Sequence, residues 1–167
     1  MDISKKWKGR EQPNTDHLMS LFSDDTISAF ITGHLVVESL LVQMIDLKLE
    51  HPDEFDTFSL NFPSKTNLCK ALGLIDSDMT NFLLEMNTIR NRFAHRLGYS
   101  FSFDDAFSFA QAAAKGGVDF SDDSIYMNKE NSKEWYGIKG IIQEVFQNTA
   151  QDLSFIMEEN GGEFQFG

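Results

Sequence analysis

The stretch DDTISAFITGHLVVESLLVQMIDLKLEHP, residues 24 to 52, decides the fold class. Within it Ile27, Phe30, Ile31, Leu35, Val37, Leu41, Met44, Ile45 and Leu49 recur at helical spacing, and no proline intervenes before Pro52. Ser23 and Asp24 offer a start, and acids in the first turn suit the positive end of a helix. Apolar residues cover more than one stripe, which predicts a central helix packed on several neighbours. Its most apolar part, LVVESLLVQMI (35–45), is interrupted by Glu38 and Gln43. That part falls short of the roughly 20 apolar residues that span a bilayer, so no membrane association is expected.

Working outward, residues 1–14 are polar and predict a flexible arm. Thr15 or Asp16 can cap a short helix over HLMSLF (17–22). Downstream, HPDEFDTFSLNFPSK (51–65) reads as a connection with aromatic anchors, and Pro63 and Ser64 open a third helix. Gly73 followed by Leu74 has the form of a helix stop. Asp76 or Ser77 caps a fourth helix, striped by Met79, Phe82, Leu83, Met86, Ile89 and Phe93 and expected to stop at Gly98. A turn at SFSFDD (100–105) leads into a helix over 106–115, and residues 116–132 read as a loop. A last helix is expected from about Ser132 to Glu159, with Gly137 and Gly140 weakening its start. The sum is one all-α domain over residues 15–160, a bundle of four to five helices plus short ones, followed by a frayed tail over 161–167.

Composition bounds what such a domain does. A chain of 167 residues with 41% hydrophobic content is one domain able to bury a core, and it is too apolar to be disordered. A lone cysteine, Cys69, forms no internal disulfide and points to a reducing cytoplasm. The N-terminal MDISKKWKGR has no apolar run behind it, so no signal peptide is expected. Neither HExxH nor CxxC occurs, and DFSDDS (119–124) lacks the glycine and terminal glutamate of an EF-hand loop. No GxGxxG, P-loop or nucleophile elbow is present, so no metal or cofactor is expected. Twenty-six acidic against 14 basic residues give a net charge of −12, which disfavours an extended polyanion-binding face. The cations are concentrated, however: Lys5, Lys6, Lys8 and Arg10 form one cluster, and Arg90, Arg92 and Arg96 a second. Any anion site must be local and small.

The second cluster lies in IRNRFAHRLG (89–98), at the end of the fourth helix. One reading is that Arg92, His95 and Arg96 merely finish that helix, each stabilised by the macrodipole by about 0.3–1 kcal/mol. That reading leaves two features over. Arg90 sits beside Ile89 and one turn from Met86 and Phe93, and Asn91, a poor helix former, stands four residues before His95. The run Arg90-Asn91-Arg92-Phe93-Ala94-His95 resembles the signature of HEPN domains, in which Arg, then commonly a polar residue, is completed by His four to six residues on. The lead-in KALGLIDSDMTNFLLEMNTIRNRFAH (70–95) is similar to the HEPN-like group that contains the mannitol operon repressor family, and the resemblance is best over residues 25–105.

The resemblance implies a HEPN-like bundle and a metal-independent endoribonuclease, in the role of a toxin or defence effector. Arg90 would hold the phosphate, His95 would act as acid or base, and Asn91 would orient His95. Arg92 and Arg96 would add substrate contacts, and the products would carry 2′,3′-cyclic phosphate ends. One motif per chain implies a two-fold homodimer that pairs two motifs in one cleft. The alternative is a non-catalytic regulatory module acting through a protein partner, an antitoxin or a transcriptional regulator, although no basic recognition helix is evident. Glu38 shares a helical face with Ile31, His34, Leu41 and Ile45 and reads either as an ion pair with Arg90 or as an exposed helix-edge residue. His34 reads first as a hydrogen-bonded core histidine. The apolar stripe of the fourth helix, over 78–97, and the all-round apolar second helix are expected to leave surface for a second copy.

Overall fold

The short helix α1 (Thr15–Phe22) leads into α2 (Asp25–Lys48), in which the decisive stretch is one unbroken element of 24 residues. The Asp24 carboxylate caps it, accepting from the backbone N–H of Thr26 at 2.8 Å and of Ile27 at 3.4 Å. The computed structural model describes residues 15–96 and 98–165, and among these there is no strand. The expected arm over 1–14 and the last two residues of the tail lie outside the described residues. As a whole α2 is long and apolar enough to cross a bilayer by length and composition, which the 35–45 stretch alone did not suggest. Here Phe30, Val37, Leu40, Leu41, Met44 and Ile45 enter the protein's own core.

Two 3-10 turns follow, Pro52–Glu54 and Thr57–Ser59, and buried Thr57 ties the connection to α2 through Asp46. Helix α3 (Phe62–Ala71) is capped by Asn61, which accepts from Ser64 N–H at 2.9 Å. It stops at Gly73, in the left-handed region at φ 74°, with Leu74 N–H returning to Cys69 O at 2.9 Å. Helix α4 (Ser77–His95) is capped by Asp76, and α5 (Phe103–Lys115) opens with a reciprocal Ser102–Asp105 capping box. Helix α2 packs against α3, α4 and, most extensively, a final helix α8 (Gly137–Glu159). Gly33 permits that last approach, because a Cβ there would lie 2.3 Å from the Phe146 ring. Phe30 sits at the centre, with the rings of Phe93, Phe101, Phe109 and Phe146 at centroid distances of 4.9–5.9 Å.

The structure departs from the sequence expectations at several places. Residues 116–132 are not all loop: α6 (Ser124–Met127) and α7 (Lys129–Trp135) form there. Asn128 caps α7, and buried Ser132 donates to Ile125 O at 2.7 Å to hold the pair together. The last helix starts at Gly137 rather than near Ser132, because Gly137 takes φ 66° and breaks the run. Helix α4 ends at His95, so Arg96 is extended rather than helical; Tyr99 and Phe101 then turn back onto Phe93 at 5.1 and 5.5 Å. The tail, expected to fray, returns to α2: Gln43 Nε2 donates to Gln165 O at 2.8 Å and Gln165 N–H donates to Gln43 Oε1 at 2.9 Å.

The apolar stripe of α4 is also not left open for a second copy. Met79, Phe82, Leu83, Met86 and Ile89 are all buried by the chain's own α2, α3 and α5. The exposed large apolar side chains lie elsewhere, among them Leu35 on α2 and Phe58 in the second 3-10 turn.

Candidate functional site

Asn87 and Arg90 lie one turn apart on α4, and that face looks across to α2 and to the start of α3. The result is a cleft of about 320 Å³ lined by His34, Glu38, Asn61, Phe62, Pro63, Asn87, Arg90 and Asn91. Arg90 is half-buried; its Nη1 donates to Asn91 Oδ1 at 3.3 Å, and its buried Nε–H has no hydrogen-bond partner among the described residues. An unpartnered guanidinium N–H out of reach of water costs free energy, so the site is short of one acceptor. The N-terminus of α3, a ten-residue helix, opens on the same cleft and adds the positive end of its dipole.

A second cation is paired with Glu38 of the cleft wall. Lys65 is 1% exposed, and its ammonium donates to Glu38 Oε1 at 2.8 Å and to Phe58 O at 3.0 Å. Glu38 is therefore neither paired with Arg90 nor a free edge residue. Its carboxylate belongs to Lys65, which a buried ammonium requires. That leaves Arg90 available to a ligand.

His34 is 3% exposed, and its ring lies against Phe62 at 4.3 Å. With the Asn87 amide oxygen facing it at 3.1 Å, Nε2–H donates and Nδ1 is the ring's acceptor. Burial holds the imidazole below its ordinary value of 6.5, seconded by the charges of Arg90 and Lys65; the Asn87 bond and Glu38 oppose the shift. At neutral pH this histidine is an uncharged base.

Of the residues expected to act, the cleft brings together Glu38, Arg90 and Asn91. Arg92 lies in a different groove, with Glu85, Thr88, Tyr99 and Asp105. His95 and Arg96 are exposed at the end of α4. Five residues along a helix turn about 140° around its axis, so Arg90 and His95 of one chain do not face the same space. Asn91 bonds to Arg90 rather than to His95. Sequence reasoning missed Asn61, Lys65 and Asn87; only Asn87, one turn before Arg90, carried a signal that helical spacing could have caught.

A roomier cleft of about 520 Å³ lies elsewhere, walled by Asp76, Asp119 and Asp152. Burial raises the Asp152 carboxyl above its usual range, and an acidic wall of this kind repels anions. The smaller cleft is thus the better candidate on chemistry. No three His, Cys, Asp or Glu side chains among the described residues are arranged to hold a metal ion. No family model matches the chain, nor does any curated protein or solved structure.

Proposed function

We propose that the protein is a HEPN-like endoribonuclease in which Arg90 binds the scissile phosphate. One observation carries the reading: the half-exposed guanidinium of Arg90 lines a polar cleft at the mouth of α3 with no carboxylate paired to it among the described residues. A guanidinium so placed offers a phosphate a fixed donor and stabilises charge that builds in the transition state. RNA supplies its own nucleophile. The 2′-oxygen attacks phosphorus, the bond to the 5′-oxygen breaks, and the products are a 2′,3′-cyclic phosphate and a 5′-hydroxyl, with no metal in the step. Across a two-fold axis that brings both motifs into one cleft, one His95 takes the 2′-hydroxyl proton and the other, as imidazolium, gives a proton to the departing 5′-oxygen, because each Arg90 faces away from the His95 of its own chain. Exposed Leu35 on α2 and Phe58, whose ring lies 5.2 Å from the Lys65 ammonium, offer apolar surface to that second copy.

The test is incubation of the purified protein with mixed RNAs in excess EDTA. Cleavage leaving cyclic phosphate ends, abolished by Arg90→Ala and by His95→Ala, is the expected result. The separation of Arg90 from His95 within one chain favours a second reading, a non-catalytic anion-binding regulatory module of the mannitol operon repressor type, acting on a protein partner. RNA left intact by the wild type at every protein concentration, together with a protein captured from the native host, selects that second reading.

A further inference from the structure

The cleft holds a group that phosphate binding leaves unused. His34 Nδ1 is an acceptor on a residue that lines the same cleft as Arg90, whose guanidinium is paired with no carboxylate among the described residues, and this combination asks for a ligand that offers an anion and a hydroxyl side by side. A phosphodiester group alone would satisfy the guanidinium and leave the imidazole nitrogen facing an oxygen anion, acceptor against acceptor. A ribose 3′-phosphate meets both demands, since its 2′-hydroxyl is a donor on the carbon next to the phosphate ester. We propose that His34 is the ribose-reading residue of the Arg90 cleft, its Nδ1 accepting the 2′-hydroxyl proton of a bound ribonucleotide.

The surroundings hold the ring for that task. Asn87 fixes the tautomer from α4, and Phe62 fixes the ring plane from α3. The charged groups that face the ring are Glu38 on its own helix, Lys65 on α3 and Arg90 on α4; Glu38 and Lys65 are spent on each other. His95, by contrast, is exposed at the end of α4 and has no such fixture among the described residues. A DNA phosphate would bind Arg90 but leave His34 Nδ1 unsatisfied, so the cleft discriminates by what it would leave unpaired.

This assignment rests on the reading of the cleft as an RNA phosphate site, but its test does not depend on cleavage. Adenosine 3′-monophosphate and 2′-deoxyadenosine 3′-monophosphate differ only in the hydroxyl, and neither has a leaving group to lose. Calorimetry on the intact chain is expected to show the ribonucleotide binding about tenfold more tightly. His34→Phe keeps a ring against Phe62, removes Nδ1 and should abolish the preference. Should that variant fail to fold, nitrogen NMR of the wild-type imidazole gives the same answer, with His34 Nδ1 shifting on titration with the ribonucleotide and not with the deoxynucleotide. Equal affinities, a preference that survives His34→Phe, or an Nδ1 signal indifferent to the hydroxyl would overturn the proposal. Glycerol 3-phosphate, which also carries a hydroxyl beside its phosphate ester, separates RNA from small sugar phosphates; binding as tight as that of the nucleotide would overturn the assignment to RNA. A clear ribose preference in a protein that cleaves nothing would remove the nuclease reading and leave His34 in place.

Discussion

The cleft between α2, α3 and α4 and the solvent-facing end of α4 both contain arginine and histidine, yet they are different kinds of place. In the cleft His34 is buried and held by Asn87, and Glu38 on the cleft wall is paired with Lys65, which is 1% exposed. At the helix end Arg92, His95 and Arg96 are exposed to water. Charge in water is screened and mobile, whereas charge out of water must be paired or answered by a ligand. The difference lies in desolvation, which sequence spacing does not report.

The largest effect is expected from breaking the cleft's ion pair. Glu38→Ala leaves the Lys65 ammonium buried without its carboxylate and should cost about 3 kcal/mol in a urea titration. Glu38→Gln, which keeps an acceptor for Nζ, should recover much of that. A change within ±0.5 kcal/mol in Glu38→Ala would show that the pair is solvated. Next comes the packing that sets α2 in place: Gly33→Ala drives a methyl into the Phe146 ring and should cost about 1–3 kcal/mol. Its thermal midpoint, read beside that of the wild type, checks this.

A smaller effect concerns acid. His34 titrates below 6.5 in the folded chain, so the unfolded chain binds the extra proton first as pH falls. The stability that neutral His34 contributes is complete above pH 6.5 and is lost as pH falls from there toward the folded value. The slope is at most about 1.4 kcal/mol per pH unit. Urea titrations at pH 7.5, 6.5 and 5.5 should show it in the wild type and show it reduced in His34→Gln. The smallest effects are expected at the helix end: Arg92→Ala, His95→Ala and Arg96→Ala should each change stability by no more than about 0.5 kcal/mol. A loss above 1 kcal/mol at His95 would erase the contrast between the two regions.

How much of this was legible varies with the physics involved. The helices were, because α2 and α4 carry their apolar periodicity and their Asp24 and Asp76 caps in the local sequence. The break at Gly137 was half legible, since glycine marks a weak point but not the positive φ it takes. Helices α6 and α7 were hidden because their stability comes from Ile125 and Ser132 meeting across a turn rather than from periodicity. At the site, Arg90 stood out as an arginine beside apolar neighbours. Lys65 did not, because nothing local to a lysine in FPSKTN indicates that its ammonium will be buried against Glu38, 27 residues away. Glu38 read either as the partner of Arg90 or as an exposed helix-edge residue, and its actual partner Lys65 escaped both readings because it comes from another helix.

The most direct measurement of the central claim is a phosphate titration followed on the Arg90 side chain. The Nε–H signal of a buried arginine nitrogen is observable by proton–nitrogen NMR, and it should shift when an anion binds the exposed terminal nitrogens of the same guanidinium. Inorganic phosphate is expected to move the Arg90 Nε–H resonance together with the Asn87 and Asn91 side-chain amides, saturably, while the signals of Arg92, His95 and Arg96 drift only with ionic strength. Saturable shifts confined to Arg92, His95 and Arg96, with Arg90 unmoved, would contradict it.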